Sequence, residues 1–100
     1  MSNLAYNKGR AFEYLIMREI EKDGYLTFRQ AGSKSPFDII AMLIKDGKEL
    51  PLILAIQCKY GSSPYKKDLI KLSQLNLPHI VQKQLWIKKP YQEIRKIIVP

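Results

Sequence analysis

The chain opens with an apolar stripe at helical spacing. Between residues 4 and 23, large apolar side chains recur at intervals of three and four residues, which places them on one face of a helix. Gly24 follows, and glycine is favoured just beyond a helix because it tolerates the left-handed backbone conformation found there. The pattern predicts a first helix over 4–23 with a buried face of Phe12, Leu15, Ile16 and Ile20.

Three short segments rich in strand-forming residues follow this helix. Residues 25–29 (Tyr-Leu-Thr-Phe-Arg) predict a first strand, and the polar stretch 30–36 predicts a loop. Segments 37–44 and 52–59 are almost entirely apolar and flank 45–51, whose Asp-Gly pair favours a β-hairpin. Because both strands are nearly all apolar, we expect their sheet to be covered on both faces.

The second half of the chain predicts one more helix, over 64–76, and two more strands, over 80–87 and 94–99. We expect the helix to turn inward its apolar residues Leu69, Ile70, Leu72 and Leu75. We expect it to turn outward its lysines Lys66, Lys67 and Lys71. The order α-β-β-β-α-β-β predicts an α/β fold, a mixed β-sheet flanked by helices, in a single domain over residues 1–100.

The charge distribution points to a polyanionic partner. The chain has a formal net charge of +8 and a sequence pI near 9.7, values typical of proteins that bind nucleic acid. Residues 1–50 contain eight basic and seven acidic side chains, whereas residues 51–100 contain nine basic and two acidic ones. The excess of cations therefore follows the predicted hairpin, and DNA is the expected partner.

One cysteine and one histidine restrict the chemistry. They exclude a disulfide within one chain and a zinc site built from thiolates and imidazoles. Any bound metal would have oxygen ligands, which favours magnesium or manganese. No apolar run approaches the roughly 20 residues that span a bilayer, and the first residues lack the pattern of a signal peptide. We expect a cytoplasmic protein without a membrane partner.

Sequence spacing brings together three polar residues of the predicted hairpin. Alternation along the second strand points Gln57 and Lys59 to the same face. If the turn is centred between Gly47 and Lys48, Asp38 lies opposite Gln57, and a centre one residue later places it opposite Lys59. In both registers the three groups approach one point, because opposed Cβ atoms lie roughly 5 Å apart.

These residue types suit the hydrolysis of a phosphodiester. A carboxylate such as Asp38 binds a divalent cation, and Gln57 offers a neutral oxygen ligand beside it. The cation polarises the phosphate and lowers the pKa of its bound water, while Lys59 orients that water or offsets charge on the phosphorane. Glu13 lies about 100° from Phe12 on the first helix, at the edge of the apolar stripe, where it can reach the same cleft.

The order of these residues resembles the PD-(D/E)XK nuclease superfamily, the fold of many restriction enzymes. The resemblance covers residues 7–88 and rests on Glu13, Pro36-Phe37-Asp38 and Gln57-Cys58-Lys59. More narrowly, Lys8-Gly9-Arg10 before Glu13 and the loop Gly32-Ser33-Lys34-Ser35 before Asp38 resemble the archaeal Holliday junction resolvases.

The resemblance implies a restriction-endonuclease-like sheet and a role for each matching residue. It implies a catalytic set of Glu13, Asp38, Gln57 and Lys59, the first three of which would hold Mg²⁺ or Mn²⁺. We expect the DNA backbone to be contacted by residues from both helices, the first strand and the serine-bearing loop: Lys8, Arg10, Arg29, Ser33, Lys34, Ser35, Lys66 and Lys67.

Two positions depart from the PD-(D/E)XK pattern. Phe37 separates the proline from the aspartate, and Gln57 replaces the second acid, which should weaken binding of a divalent cation. Mrr-type nucleases resemble this variant, because they carry a QxK motif and cut DNA. The leading hypothesis is a magnesium-dependent Holliday junction resolvase, which is expected to work as a homodimer on branched DNA.

Three alternatives remain open at this point. The first is an Mrr-like nuclease that acts on duplex DNA. The second is a nuclease-like fold that binds nucleic acid without cutting it. The third is a lysine-rich protein-interaction module. Gln57 supports the non-catalytic reading, and Gln57 and Lys59 also suit the solvated end of a strand. For the dimer, two apolar segments are candidate interfaces, one at Leu85, Trp86 and Ile87 and the other around Leu69 to Leu77.

Overall fold

The computed structural model describes residues 4–30, 35–45 and 49–100, with side chains from residue 8 onward. Its elements are α1 (Leu4–Lys22), β1 (Tyr25–Arg29), β2 (Ile39–Leu43), β3 (Ile53–Tyr60), α2 (Lys66–Gln74), β4 (Val81–Lys88) and β5 (Arg95–Val99). This is the predicted order, and each predicted boundary lies within two residues of the observed one. The centre of the predicted turn, 46–48, lies outside the described residues.

The five strands form one mixed sheet in the order β1-β2-β3-β4-β5. Only β3 and β4 are parallel, and α2 supplies the crossover that a parallel pair requires. Strands β2 and β3 form the predicted antiparallel pair, with Ile39 opposite Ile56 and Met42 opposite Ile53. This register has the same index sum as a turn centred between Gly47 and Lys48, the first of the two predicted registers.

Strand β3 contributes to both hydrophobic cores. On one face, Leu54 and Ile56 pack with the buried stripe of α1, which consists of Phe12, Ile16 and Ile20. On the other face, Ala55 belongs to a second core centred on Leu72 of α2 and Leu85 of β4. Side chains alternate along a strand, so β3 supplies alternate residues to each core.

The prediction that the hairpin sheet is covered on both faces is wrong at Met42 of β2, and the neighbouring strand β1 is open on the same face. Leu26, Phe28 and Met42 point away from α1, and between 46% and 47% of each side chain is exposed. Helix α2 packs against the core that contains Leu85 and Val99, on the other half of the sheet. On that face Ile40 of β2 still packs against this core, whereas Leu26, Phe28 and Met42 are left uncovered.

Helix α2 also differs from its predicted orientation at one residue. Leu72 is fully buried, and Leu69 and Leu75 pack against the same core, as predicted. Ile70 is 46% exposed, so its predicted inward orientation is wrong. In this nine-residue helix, Ile70 lies two positions before Leu72 and therefore on a different face.

A buried lysine stabilises the C-terminal end of α2. The ammonium of Lys83, which is 7% exposed, donates to the carbonyls of Leu72 and Leu75 at 2.6 and 2.8 Å. The Leu72 carbonyl also accepts a hydrogen bond from the Leu75 amide at 3.1 Å. Carbonyls in the last turn of a helix lack regular intrahelical partners, and a cation is favoured at this end of the helix dipole. The contact joins α2 to β4 independently of the apolar core.

Gly24 gives a test of how α1 turns into β1. Its φ is +98°, and a Cβ built on it would lie 2.6 Å from Cβ of Lys45. We expect Gly24→Ala to lower the free energy of unfolding by about 1–2 kcal/mol or more, because both the conformation and the close approach oppose a side chain. Urea denaturation monitored by circular dichroism measures the change.

Gly9, inside α1, is the matched control. A Cβ at Gly9 would meet nothing within 4 Å. Gly9→Ala should therefore raise the free energy of unfolding by up to about 1 kcal/mol through helix propensity. Equal effects of the two substitutions would contradict the structure around Gly24.

Candidate active site

The predicted site residues gather at one end of the sheet. Arg29, at the C-terminal end of β1, pairs with Ile39 at the N-terminal end of β2. Ile39 in turn pairs with Ile56, which lies in the middle of β3, three residues before Lys59. Asp38 and Lys59 are therefore within a few residues of the same edge, and α1 adds Glu13 to it.

A β-bulge at Asp38 changes the direction of its side chain. The amide of Asp38 donates to the carbonyl of Ile56 at 2.7 Å, although Ile56 is already the partner of Ile39. Two residues of one strand thus oppose one residue of the next, which is the definition of a bulge. Simple alternation from the hairpin register does not extend to Asp38.

The carboxylate of Asp38 is held between β3 and α1. Its Oδ2 accepts a hydrogen bond from the amide of Cys58 at 2.8 Å. Partial burial raises the pKa of Asp38, and the negative charge of Glu13 raises it further, while the Cys58 amide and the Arg29 guanidinium act in the opposite direction. The group is thus a carboxylate in an environment that disfavours its charge.

Glu13 and Arg29 form an ion pair beside Asp38. Nε of Arg29 lies 2.7 Å from Oε1 of Glu13, and less than a fifth of either side chain is exposed. The guanidinium also lies 5.5 Å from the ring centroid of Tyr14. Arg29, predicted to contact DNA, therefore balances the charge of the two carboxylates in this structure.

Gln57 and Lys59 lie on the opposite face of β3, towards α2. Nζ of Lys59 is 2.9 Å from Oδ2 of Asp68, and Nε2 of Gln57 donates to Oδ1 of Asp68 at 3.3 Å. Asp68 is in the first turn of α2. The sequence analysis did not single out Asp68, although an acid in the first turn of the helix after the Gln-Cys-Lys strand was a visible signal.

The site consequently has two polar groups rather than one. Asp38, Glu13 and Arg29 lie on the α1 side, and Gln57 and Lys59 lie on the α2 side. Within the described residues, no hydrogen bond or ion pair joins Asp38 to either member of the second group. The Asp38 carboxylate instead bonds to the amide of Cys58, the residue between Gln57 and Lys59.

Cys58 lies between Gln57 and Lys59 in sequence, and its thiol does not suit a role as a nucleophile. Its side chain packs against the α1 core. Burial raises the pKa of the Cys58 thiol strongly, and the charges of Asp38 and Glu13 raise it further. The thiol therefore stays protonated at neutral pH and is a poor nucleophile.

Basic residues surround this end of the sheet. Lys8 and Arg10 are exposed near the start of α1, and Lys66 and Lys67 are exposed at the start of α2. A groove between α1 and the ends of β3 and β4 has Lys8, Tyr60 and Lys88 among its lining residues. The hydroxyl of Ser35 accepts a hydrogen bond from the amide of Phe37 at 2.9 Å. The predicted DNA contacts Ser33 and Lys34 lie outside the described residues.

The fold is similar to that of a known nuclease. A solved structure of Hjc, a Holliday junction resolvase from the archaeal hyperthermophile Archaeoglobus fulgidus, matches with a TM-score of 0.60 at 24% sequence identity. The match covers 91% of this chain and 72% of the Hjc chain. The chain therefore has a resolvase-like α/β fold, as the sequence analysis expected.

Comparisons of sequence add no family to this likeness. No protein family model matches the chain, and no curated protein matches it. In the part of the chain that the structure describes, no helix is long and apolar enough to cross a membrane. Among the same residues, no three histidine, cysteine, aspartate or glutamate side chains are grouped so as to hold a metal ion.

The raised pKa of Asp38 predicts an effect on stability. Because ionisation of Asp38 is disfavoured in the folded state, Asp38 lowers stability progressively as the pH rises from the ordinary aspartate pKa to its raised folded pKa, and the whole cost is present above it. We expect Asp38→Asn, which retains an acceptor for the Cys58 amide, to raise the melting temperature at pH 7. The gain should shrink as the pH falls towards the ordinary aspartate pKa of about 3.9.

Thermal denaturation at several pH values measures this effect. Glu19→Gln is the control. It also removes one carboxylate, but from the exposed Glu19–Lys22 pair of α1, where 51% of the Glu19 side chain is accessible. A fall in melting temperature for Asp38→Asn at pH 7 would mean that the contact with Cys58 outweighs the cost of burial.

Proposed function

We propose that the chain is a metal-dependent endonuclease of the resolvase type, which cuts phosphodiesters in branched DNA. The observation that carries this proposal is the arrangement of Asp38 and Glu13. Asp38 is held by the Cys58 amide of β3, and Glu13 of α1 is paired with Arg29 within electrostatic reach of it, at an edge surrounded by basic residues. The resolvase-like fold supports the same reading.

Two carboxylates suit magnesium better than they suit a metal ion whose ligands all come from the protein. Magnesium is commonly bound by one or two carboxylates, with water and substrate phosphate completing its coordination. A divalent cation would also remove the electrostatic penalty between Asp38 and Glu13. We propose that these two residues hold Mg²⁺ or Mn²⁺, which would polarise the scissile phosphate and activate water.

Lys59 and Gln57 take different parts in this proposal. Lys59 supplies a positive charge at the same edge of the sheet, where it would offset negative charge developing on the phosphate. Gln57 would contribute an uncharged oxygen to the metal, but its amide is directed to Asp68. Gln57 is therefore the least supported of the predicted ligands.

The basic residues around the site would hold the DNA backbone. Exposed Lys8, Arg10, Lys66 and Lys67 come from the starts of both helices, so they lie on either side of the two polar groups. Contacts of this kind position a duplex without reading its sequence, which suits recognition of DNA shape at a branch point. Ser33, Lys34 and Ser35 remain proposed members of this surface.

Cleavage of a labelled four-way junction tests the proposal. We expect Mg²⁺- or Mn²⁺-dependent nicks on the junction, none in EDTA, and much slower cutting of a matched linear duplex. Asp38→Ala should lower the single-turnover rate by about a hundredfold or more, because it removes a ligand of the cation. Glu19→Gln should cut as the wild type does.

The result separates the remaining functions. Equal cutting of junction and linear duplex would favour an Mrr-like nuclease. Binding of DNA without products in either metal would favour a non-catalytic nuclease-like fold. Absence of both binding and cleavage would leave the protein-interaction module.

We propose that the chain acts as a homodimer, because a four-way junction has near two-fold symmetry. The two predicted interfaces differ in exposure. Leu85 and Ile87 are buried within the chain, and Trp86 packs against the α1 core. In the segment from Leu69 to Leu77, Leu72 is fully buried, whereas Ile70 and Leu77 are exposed. The uncovered patch of Leu26, Phe28 and Met42, called the β1–β2 patch, is the better candidate.

Substitution in the β1–β2 patch tests the dimer. Phe28→Glu should weaken self-association roughly 30-fold or more, since aromatic residues at the centre of an interface commonly contribute 2 kcal/mol or more. Analytical ultracentrifugation over a concentration series measures the dissociation constant. Ile98→Glu is the control, because Ile98 is 55% exposed on β5, outside the patch. A wild type that sediments as a monomer at all concentrations would exclude the homodimer.

A further inference from the structure

Both oxygens of the Asp68 carboxylate are bound by residues of the QxK segment. Oδ2 lies 2.9 Å from Nζ of Lys59, and Oδ1 accepts from Nε2 of Gln57 at 3.3 Å. Only the NH₂ end of an amide can donate to a carboxylate, so this contact also fixes which way the Gln57 amide faces. One residue of α2 thus orients two side chains of β3.

The Lys59–Asp68 ion pair is much less exposed than the Glu19–Lys22 pair of α1. Asp68 and Lys59 are 19% and 27% exposed, whereas Glu19 and Lys22 in α1 are 51% and 72% exposed. Exposed pairs contribute little, because water and salt screen them. A partly buried pair with a second hydrogen bond restricts the flexible lysine side chain to one position.

Docking of α2 does not require this contact. Leu72 is fully buried in the second core, and Leu69 and Leu75 pack against that core. Lys83 holds the opposite end of the helix. The helix dipole favours an acid in the first turn, but the dipole does not direct both carboxylate oxygens to β3. Neither the packing of α2 nor its dipole therefore explains why Asp68 contacts both Gln57 and Lys59.

We infer that Asp68 is a positioning residue of the active site. It places a negative charge next to residue 57, where Gln57 itself has none, and it directs the Lys59 ammonium and the Gln57 amide into fixed positions. This inference rests on the proposed nuclease function, which it deepens by adding a residue that acts through Lys59 and Gln57.

Exchange of the charge between positions 57 and 68 is the test. Asp68→Asn removes the carboxylate, and the double variant Gln57→Glu with Asp68→Asn returns a carboxylate to the pair without changing net charge. An amide at 68 can donate to a carboxylate at 57, so the hydrogen bond between the two positions is retained. Lys59 also regains an acidic neighbour.

Two readouts follow the exchange. In single-turnover cleavage of the four-way junction, Asp68→Asn should be slower by roughly 10- to 100-fold, the range typical of residues that orient an active site from behind. The double variant should recover to within about tenfold of the wild type. In NMR spectra, the Lys59 ammonium signal should be visible in the wild type, lost in Asp68→Asn and restored in the double variant.

Several outcomes would overturn the inference. If the wild type cuts the junction and Asp68→Asn cuts equally fast, Asp68 only tethers α2. A double variant no faster than Asp68→Asn would also overturn it. Glu19→Gln controls for the loss of one charge, and melting temperatures identify any variant that fails to fold. A wild type that cuts no DNA defeats the proposed function itself, and the inference with it, so the two failures are distinguishable.

Discussion

The two faces of β3 determine on which side of the sheet Cys58, Gln57 and Lys59 lie. This strand pairs with β2 on one side and β4 on the other, and it contributes to both hydrophobic cores. Its alternation sends Cys58 towards α1 and Gln57 and Lys59 towards α2. Because β3 and β4 are parallel, α2 must cross the sheet between them, and this crossover brings Asp68 to Lys59.

The α1 side of the site contains an unfavourable electrostatic arrangement that the fold maintains. Asp38 is partly buried close to Glu13, and the amide of Cys58 and the guanidinium of Arg29 offset part of the cost. A stable core commonly tolerates such a cost where the group has a use, because stability and function are selected together. The bulge is the local means by which the backbone aims Asp38 at this position.

The sequence predicted the elements and narrowed the β2–β3 register to two, because both depend on local patterns. Alternation, the Asp-Gly pair and Gly24 are visible in a single segment. The bulge was not predictable, because it depends on the Asp38 amide bonding to Ile56 rather than on residue type. Asp68 was missed for a related reason, since its contact with Lys59 depends on how α2 docks. Exposure of Ile70 and of the β1–β2 patch likewise follows from the limited area that α2 covers.

The partly buried thiol of Cys58 is a built-in probe of local opening. Its packing against α1 and its raised pKa both slow alkylation, so we expect the thiol to react faster when β3 and α1 separate. Since 58 is the single cysteine of the chain, its labelling rate measures that separation without an engineered probe. Cys58, between Gln57 and Lys59, thus reports the rate at which β3 opens from α1.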